Sequence, residues 1–465
     1  MLNILQLLIK IFMCLLLVSC NNKNMLPVSG VYGNCVYVYV KNEYNLIING
    51  IEIKRTGNVE LCNTSKVSLI DSSGNSINRY YFFDKDFSDS TVIDDATTLL
   101  YNKPSFYHYS GLHDRLYITY IDSSGNVMVR YYDYGVKYLS TPTIVHSFDV
   151  PDDHSAPSIT VTKDGRIILI FSHHSSQLIK AVSLHSEKID IFQYEILTDG
   201  YNTYPSIVSN NNKSTVFFRK GFSGDNSKGE FHYIDFNISN NADVISKQII
   251  SFDNRYIIYS LPPKLLKGEL VIVFSAFDRQ DSLFKNIFYS KSTDNGATWL
   301  SKDGYVTTLN ESNSILISEI SNFRVIDFAY IENNLLISIS QFENEYHCCN
   351  GKSHLSFINV NTSERTSIDS GMINYYSDGA VFDSFDNRVF YYIKTIDTIS
   401  FLVVNEILLV NKTVVVNKIG EIKLNQLSGH ISSWGLDKLG QISFLNIKYY
   451  DTYQVFRTNI EIINL

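Results

Sequence analysis

The sequence predicts an all-β protein: a seven-bladed β-propeller preceded by a small β-rich N-terminal domain. Three observations predict it. The 465 residues include 32 Tyr and 28 Phe but only 8 Pro, so strand-favouring side chains abound and little interrupts them. No stretch carries the 3.6-residue apolar spacing of an amphipathic helix. A unit of apolar strand, Gly or Asn turn and second apolar strand recurs seven times, at intervals of roughly 40 to 65 residues, the period of a four-stranded blade.

Residues 1–19 read as a signal peptide rather than as fold. In MLNILQLLIKIFMCLLLVSC, Lys10 precedes an apolar run from Ile11 to Val18, too short to span a bilayer comfortably. Leu17-Val18-Ser19-Cys20 resembles a bacterial lipobox. That implies lipidation at Cys20 and an exported lipoprotein, held at the bacterial outer membrane or cell surface without crossing it. An ordinary signal peptide containing a cysteine is the alternative. Residues 20–30 would be the lipidated tether. After export Cys35 and Cys62 are expected to form a disulfide. Cys348 and Cys349, beside His347, are expected to be partly buried thiols, with metal binding the less favoured role.

Residues 31–85 form the small domain. CVYVYVKNEYNLIINGIEI alternates and turns at Asn49-Gly50, a strong hairpin signal, and KVSLIDSSGNSINRYYFF reads as a second hairpin. The propeller occupies residues 86–465. Its repeats are RLYITYIDSSGNVMVRYYD, SITVTKDGRIILIFS, SIVSNNNKSTVFFRKG, PPKLLKGELVIVFSAF, FAYIENNLLISISQF, AVFDSFDNRVFYYIK and SSWGLDKLGQISFLNIKYY. Their turns fall near Gly125, Gly165, Asn212, Gly268, Asn334, Asn387 and Gly440. One further segment, KSTDNGATW from Lys291 to Trp299, matches the Asp-box of sialidase-type propellers. Its physics is local: Asp294 can accept backbone N–H bonds across the turn, Gly296 permits positive φ, and Trp299 can pack between strands. It reads as a folding staple without chemistry of its own.

The net charge is −8 and no basic tract is present, so a nucleic-acid partner is not expected. Candidate chemistry concentrates in PDDHSAPSITVTKDGRIILIFSHHSSQ, residues 151–177. His154 precedes the outward strand of the second repeat, and His173 and His174 follow the returning strand. A hairpin brings the chain back to the end where it began, so His154 should neighbour one of the two. In the third repeat Tyr204, in YNTYPS, and Arg219, in FFRKG, hold comparable positions. Two adjacent blades would then present two imidazoles, a phenol and a guanidinium to one groove, over the mouth where propeller loops gather.

DDHSAPSITVTKDGRIILIFSHHSS, TYPSI, FFRKG and YSKSTDNGATW together resemble the BNR-repeat propeller family that includes ulvan lyases and related polysaccharide lyases. The resemblance runs from about Tyr117 to Trp299, under half of the chain. It implies an active site at His154, His174, Tyr204 and Arg219, with His173 competing with His174 for the second place. It implies a fold more firmly than a reaction. The reaction would be β-elimination beside a uronic acid. Arg219 would neutralise the carboxylate and His154 would take the α-proton. Tyr204 would protonate the leaving oxygen, or exchange roles with His154. Asp152-Asp153 would hold the loop or the His154 tautomer, and His174, or His173, would orient the substrate. The partner is thus a polysaccharide. No metal or other cofactor is required, and a structural cation is compatible. The rivals are a non-catalytic glycan-binding propeller and, less favoured, a sialidase-type hydrolase, which would need an Arg-Ile-Pro element that this sequence lacks.

Overall fold

Gly or Asn at the turn of a repeat supplies the left-handed backbone that a tight reversal needs, and flanking apolar residues then pair as antiparallel strands. In the computed structural model Gly125, Gly165 and Gly268 have φ of 84°, 81° and 81°. The structure describes residues 105–136, 138–148, 150, 152, 154, 155, 157–210, 213–221, 229–237, 245–342, 353–368, 380–382, 387–396, 399–410 and 413–423. Beyond these it describes backbone strands alone, within 30–97 and 435–463. The expected signal peptide, residues 20–29 of the expected tether and the Cys348-Cys349 pair lie outside the described residues, as do Asn212 and Gly440. The fifth turn falls slightly earlier than expected: Glu332 takes positive φ, 54°, and Asn334 already opens the next strand.

The chain divides into two compact units, Met1–Asp84 and Lys85–Leu465. In the first, Cys35–Val40 pairs antiparallel with Gly57–Cys62, in a register that sets Cys35 opposite Cys62. A second sheet runs from Tyr44–Ile48 through Lys66–Asp71 to Ser76–Tyr81, with Ile51–Ile53 on its other edge.

The second unit is a succession of antiparallel meanders. Ser105–Ser110, Asp114–Asp122, Asn126–Asp133 and Thr143–Ser147 pair in order. Ser158–Val161, Ile167–Phe171, Ser176–Ser183, Phe192–Asn210, Lys213–Lys220, Glu230–Asn237 and Lys247–Ile250 form one seven-stranded sheet. Next come sheets centred on Glu269–Asp278 with Leu283–Ser292, on Phe323–Ile331 with Asn334–Phe342, and on Val389–Ile396 with Ile399–Val410. The two ends of the unit meet: Arg457–Ile463 pairs with Ser90–Thr97, which continues onto Asp114–Asp122.

The apolar cores lie between consecutive sheets. Tyr117, Val127 and Val129 pack with Ile159, Leu169 and Phe171. Phe217, Phe231 and Tyr233 pack with Ile258, Phe274, Phe288 and Trp299. Each such buried aromatic contributes about 1.5–3 kcal/mol of transfer free energy, so the stacked faces hold successive repeats in fixed relation.

The Asp-box forms the staple its residues specify. The Asp294 carboxylate accepts the Thr298 backbone N–H at 2.9 Å and the Thr298 hydroxyl at 2.6 Å. Ser292 Oγ accepts the Gly296 N–H at 2.8 Å, Gly296 has φ of 94°, and the fully buried Trp299 indole donates to the Gly296 carbonyl at 3.0 Å.

Candidate active site

The site grows from one shared strand. The first half of Phe192–Asn210 pairs with Ser176–Ser183 and its second half with Lys213–Lys220, so the second and third repeats belong to one sheet. Asn202 sits opposite both Ser176 and Lys220. The turn carrying His174, the Tyr204 segment and the end of the Arg219 strand are therefore aligned at one end of that sheet. Asn202 Nδ2 donates to the Ser176 carbonyl at 2.8 Å, and the Ser175 N–H donates to Thr203 Oγ1 at 3.3 Å, tying the turn to the strand.

Between Thr203 and Ser206 the register shifts, and Tyr204 takes φ of 55°. A left-handed backbone at a bulky residue costs on the order of 1–3 kcal/mol and persists only where neighbours hold it. Tyr204 and Arg219 are buried, whereas the side chains of His154 and His174 are 23% and 34% exposed. Access from solvent is thus by way of the imidazoles.

The four groups expected to meet do meet. The His154 and His174 rings stack with centroids 4.2 Å apart and 11° between planes. The Tyr204 ring lies 5.4 Å from His154, and the Arg219 guanidinium lies 4.6 Å from the Tyr204 ring centre. His173 does not join them. Its Nε2 is 3.1 Å from the Val150 carbonyl, its ring is 5.1 Å from Phe148, and its N–H donates to Ser176 Oγ. Consecutive residues at a turn point apart, so of the doubled histidine only the second reaches the cluster.

One member was not singled out from the sequence. Tyr259 lies 6.1 Å from Tyr204, and the Arg219 guanidinium is 4.9 Å from its ring, so the cation lies against two phenol rings. Tyr259 opens the fourth repeat just ahead of Leu261-Pro262, as Tyr204 precedes Pro205 one repeat earlier. Carrying the repeat logic one unit further would have found it. Asp152, expected to hold the loop or the His154 tautomer, also reaches His174. Its Oδ1 accepts the His154 backbone N–H at 2.6 Å and lies 3.2 Å from His154 Nδ1, while its Oδ2 lies 3.3 Å from His174 Nδ1. Asp153 lies outside the described residues.

The electrostatics follow from these contacts. Burial alone would raise the Asp152 carboxyl, but hydrogen bonds from both imidazoles and from the His154 N–H outweigh it and hold the group well below the usual carboxylate range. Burial likewise opposes ionisation of Tyr259, yet the Arg219 guanidinium, with Arg324 and His154 adding, brings that phenol below its ordinary value. Arg219 is disfavoured as a cation by burial, but the two phenols raise it and it stays charged. A buried, fixed cation flanked by phenols and neutral-capable imidazoles can bind an anion and move protons beside it. Asp152, His154 and His174 are also a group able to hold a metal ion, their candidate ligand atoms lying within 4.8 Å of one another.

Fold and site together describe an all-β propeller with imidazole, phenol and guanidinium groups clustered at one sheet end. A family profile for BNR repeat-containing family members matches residues 115–393, more than half of the chain. The protein belongs to that family. Among solved structures, an ulvan lyase described as a new family of polysaccharide lyase, bound to -[GlcA(1-4)Rha3S]-, is similar at TM-score 0.59 and 11% identity, covering 80% of this chain and 94% of that one. A second structure of an ulvan lyase gives TM-score 0.57 at 12% identity, with the same coverage. Identities this low establish the fold alone. An α-L-arabinanase of Penicillium chrysogenum complexed with arabinobiose is more distant, at TM-score 0.40 and 10% identity over 66% of this chain and 92% of that one. No curated protein sequence matches the chain.

Proposed function

We propose that the protein is a polysaccharide lyase that cleaves beside a uronic acid by β-elimination. One observation carries the reading: His154 of the second repeat and Tyr204 and Arg219 of the third form a contiguous cluster. Elimination needs three groups in contact. The α-proton of a uronate is weakly acidic until its carboxylate charge is offset. Arg219 binds that carboxylate. His154 removes the α-proton, and its electron pair becomes the new carbon–carbon double bond as the glycosidic carbon–oxygen bond breaks. Tyr204 gives its proton to the departing oxygen. His174, stacked on His154, holds the sugar. The ulvan lyase structure with bound GlcA-containing oligosaccharide supports a uronate-bearing polysaccharide as the substrate class.

The finer architecture belongs to the same proposal. The meanders, with Gly435–Leu436, Ile442–Lys448 and Arg457–Ile463 closing onto Ser90–Thr97, count as seven blades. The N-terminal unit is a separate small domain. Lipidation at Cys20 anchors the protein at the outer membrane or cell surface. A Cys35–Cys62 disulfide fits the backbone register, since directly opposed residues of antiparallel strands fall within bridging distance.

The test is a screen of the purified protein against uronate-containing polysaccharides, followed by the ultraviolet absorbance of the unsaturated uronate that elimination alone leaves. Turnover by the wild type, and its loss in a His154→Ala variant that still binds the polymer, is the expected result. Binding without turnover in the wild type would make the protein a glycan-capturing propeller. A saturated product would make it a hydrolase.

A further inference from the structure

We propose that Asp152 is a positioning residue for both site histidines at once: one carboxylate accepts an Nδ1–H from each ring and thereby sets both Nε2 atoms as acceptors on the substrate side. The inference rests, for its kinetic arm, on the lyase reading above.

The competitor to this arrangement is a metal site on the same three residues. Asp152 uses a different oxygen for each ring, Oδ1 at 3.2 Å from His154 Nδ1 and Oδ2 at 3.3 Å from His174 Nδ1. The rings are stacked, 11° from parallel and 4.2 Å between centroids. Their Nδ1 groups therefore lie side by side in nearly parallel planes. A carboxylate suits that pair, because its two oxygens can take two parallel N–H bonds. A single metal ion would instead need lone pairs from both rings converging on one point about 2.0–2.1 Å from each nitrogen.

The carboxylate is itself held in place. The His154 backbone N–H donates to Oδ1 at 2.6 Å. A neutral imidazole whose Nδ1–H is bonded has its lone pair on Nε2. For His154 that is the basic atom elimination needs, and for His174 it is an acceptor for a sugar hydroxyl. Free histidine in water prefers the opposite tautomer, so Asp152 would impose a state on the pair that neither ring would favour alone.

The test is ¹⁵N NMR of the full chain labelled at histidine, at about pH 8.5, above the ordinary histidine range. His154→Gln and His174→Gln variants assign the two signals. The expected result is the Nδ1–H tautomer at both residues. An Asp152→Asn side chain offers one acceptor and one donor, so exactly one of the two should switch to the Nε2–H form. On a polymer that the wild type cleaves, kcat/KM should fall roughly 10²-fold or more in that variant, as for other groups that orient a catalytic histidine. Nε2–H signals at both residues of the wild type would overturn the proposal, as would an Asp152→Asn variant with both tautomers unchanged. Stoichiometric zinc binding that shifts both signals would overturn it in favour of a metal site. The spectra decide the matter even if no polymer is cleaved, an outcome that would count against the lyase reading alone.

Discussion

Two aspartates, Asp152 and Asp294, each gather several donors at the mouth of a turn, and they do opposite things. Asp294 takes its bonds from Ser292 and from Thr298, all within four residues. The arrangement closes on itself and ends in the buried Trp299. Asp152 takes one bond from its own loop and reaches His174, twenty-two residues further on, across a hairpin. Its partners are titratable and partly exposed. A carboxylate satisfied by neutral groups of its own turn fixes the backbone. One that faces distant ionisable rings ties two segments of the chain together.

That contrast can be broken by substitution. The largest effect is expected at the chemical cluster. Arg219→Lys keeps a cation but loses the planar fork that matches a carboxylate, and turnover should fall by roughly 10²–10³-fold with little change in melting temperature. A drop in stability matching the drop in rate would mean that Arg219 is structural. At the staple the pattern should invert. Trp299→Ala removes a fully buried indole and should cost about 3–5 kcal/mol of stability, read by denaturant titration. Asp294→Ala should cost about 1–2 kcal/mol, with kcat of the surviving folded protein unchanged.

The smallest effect is in the pH dependence of stability. The Asp152 carboxyl is depressed in the folded protein, so its contribution is present above the ordinary carboxylate range and lost as pH falls toward its folded value. The melting-temperature penalty of Asp152→Asn should be greatest near neutrality and shrink below about pH 4. A penalty constant from pH 7 to pH 3 would show that Asp152 is not held ionised by its neighbours.

Much of this was legible in the chain. Strand alternation and turn glycines revealed the hairpins because both act within a few residues. His154, His174, Tyr204 and Arg219 could be brought together because a hairpin has only one geometry of return. The choice between His173 and His174 was not legible. It depends on which side of a turn each ring leaves, and that is set by Val150 and Phe148 in a neighbouring segment. The same holds for Tyr259, whose place against Arg219 arises from packing between sheets, and for the approach of Asp152 to His174 across the hairpin. Sequence periodicity reports what local backbone does; it carries little about which side chains from separate sheets converge.

The pairing of Arg457–Ile463 with Ser90–Thr97 has a consequence for biogenesis. A nascent chain that lacks residues 457–463 leaves Ser90–Thr97 with an open edge, able to accept a strand from another molecule. Closure of the unit thus waits on its last strand, and a chaperone that shields Ser90–Thr97 until then would guard against aggregation at that seam.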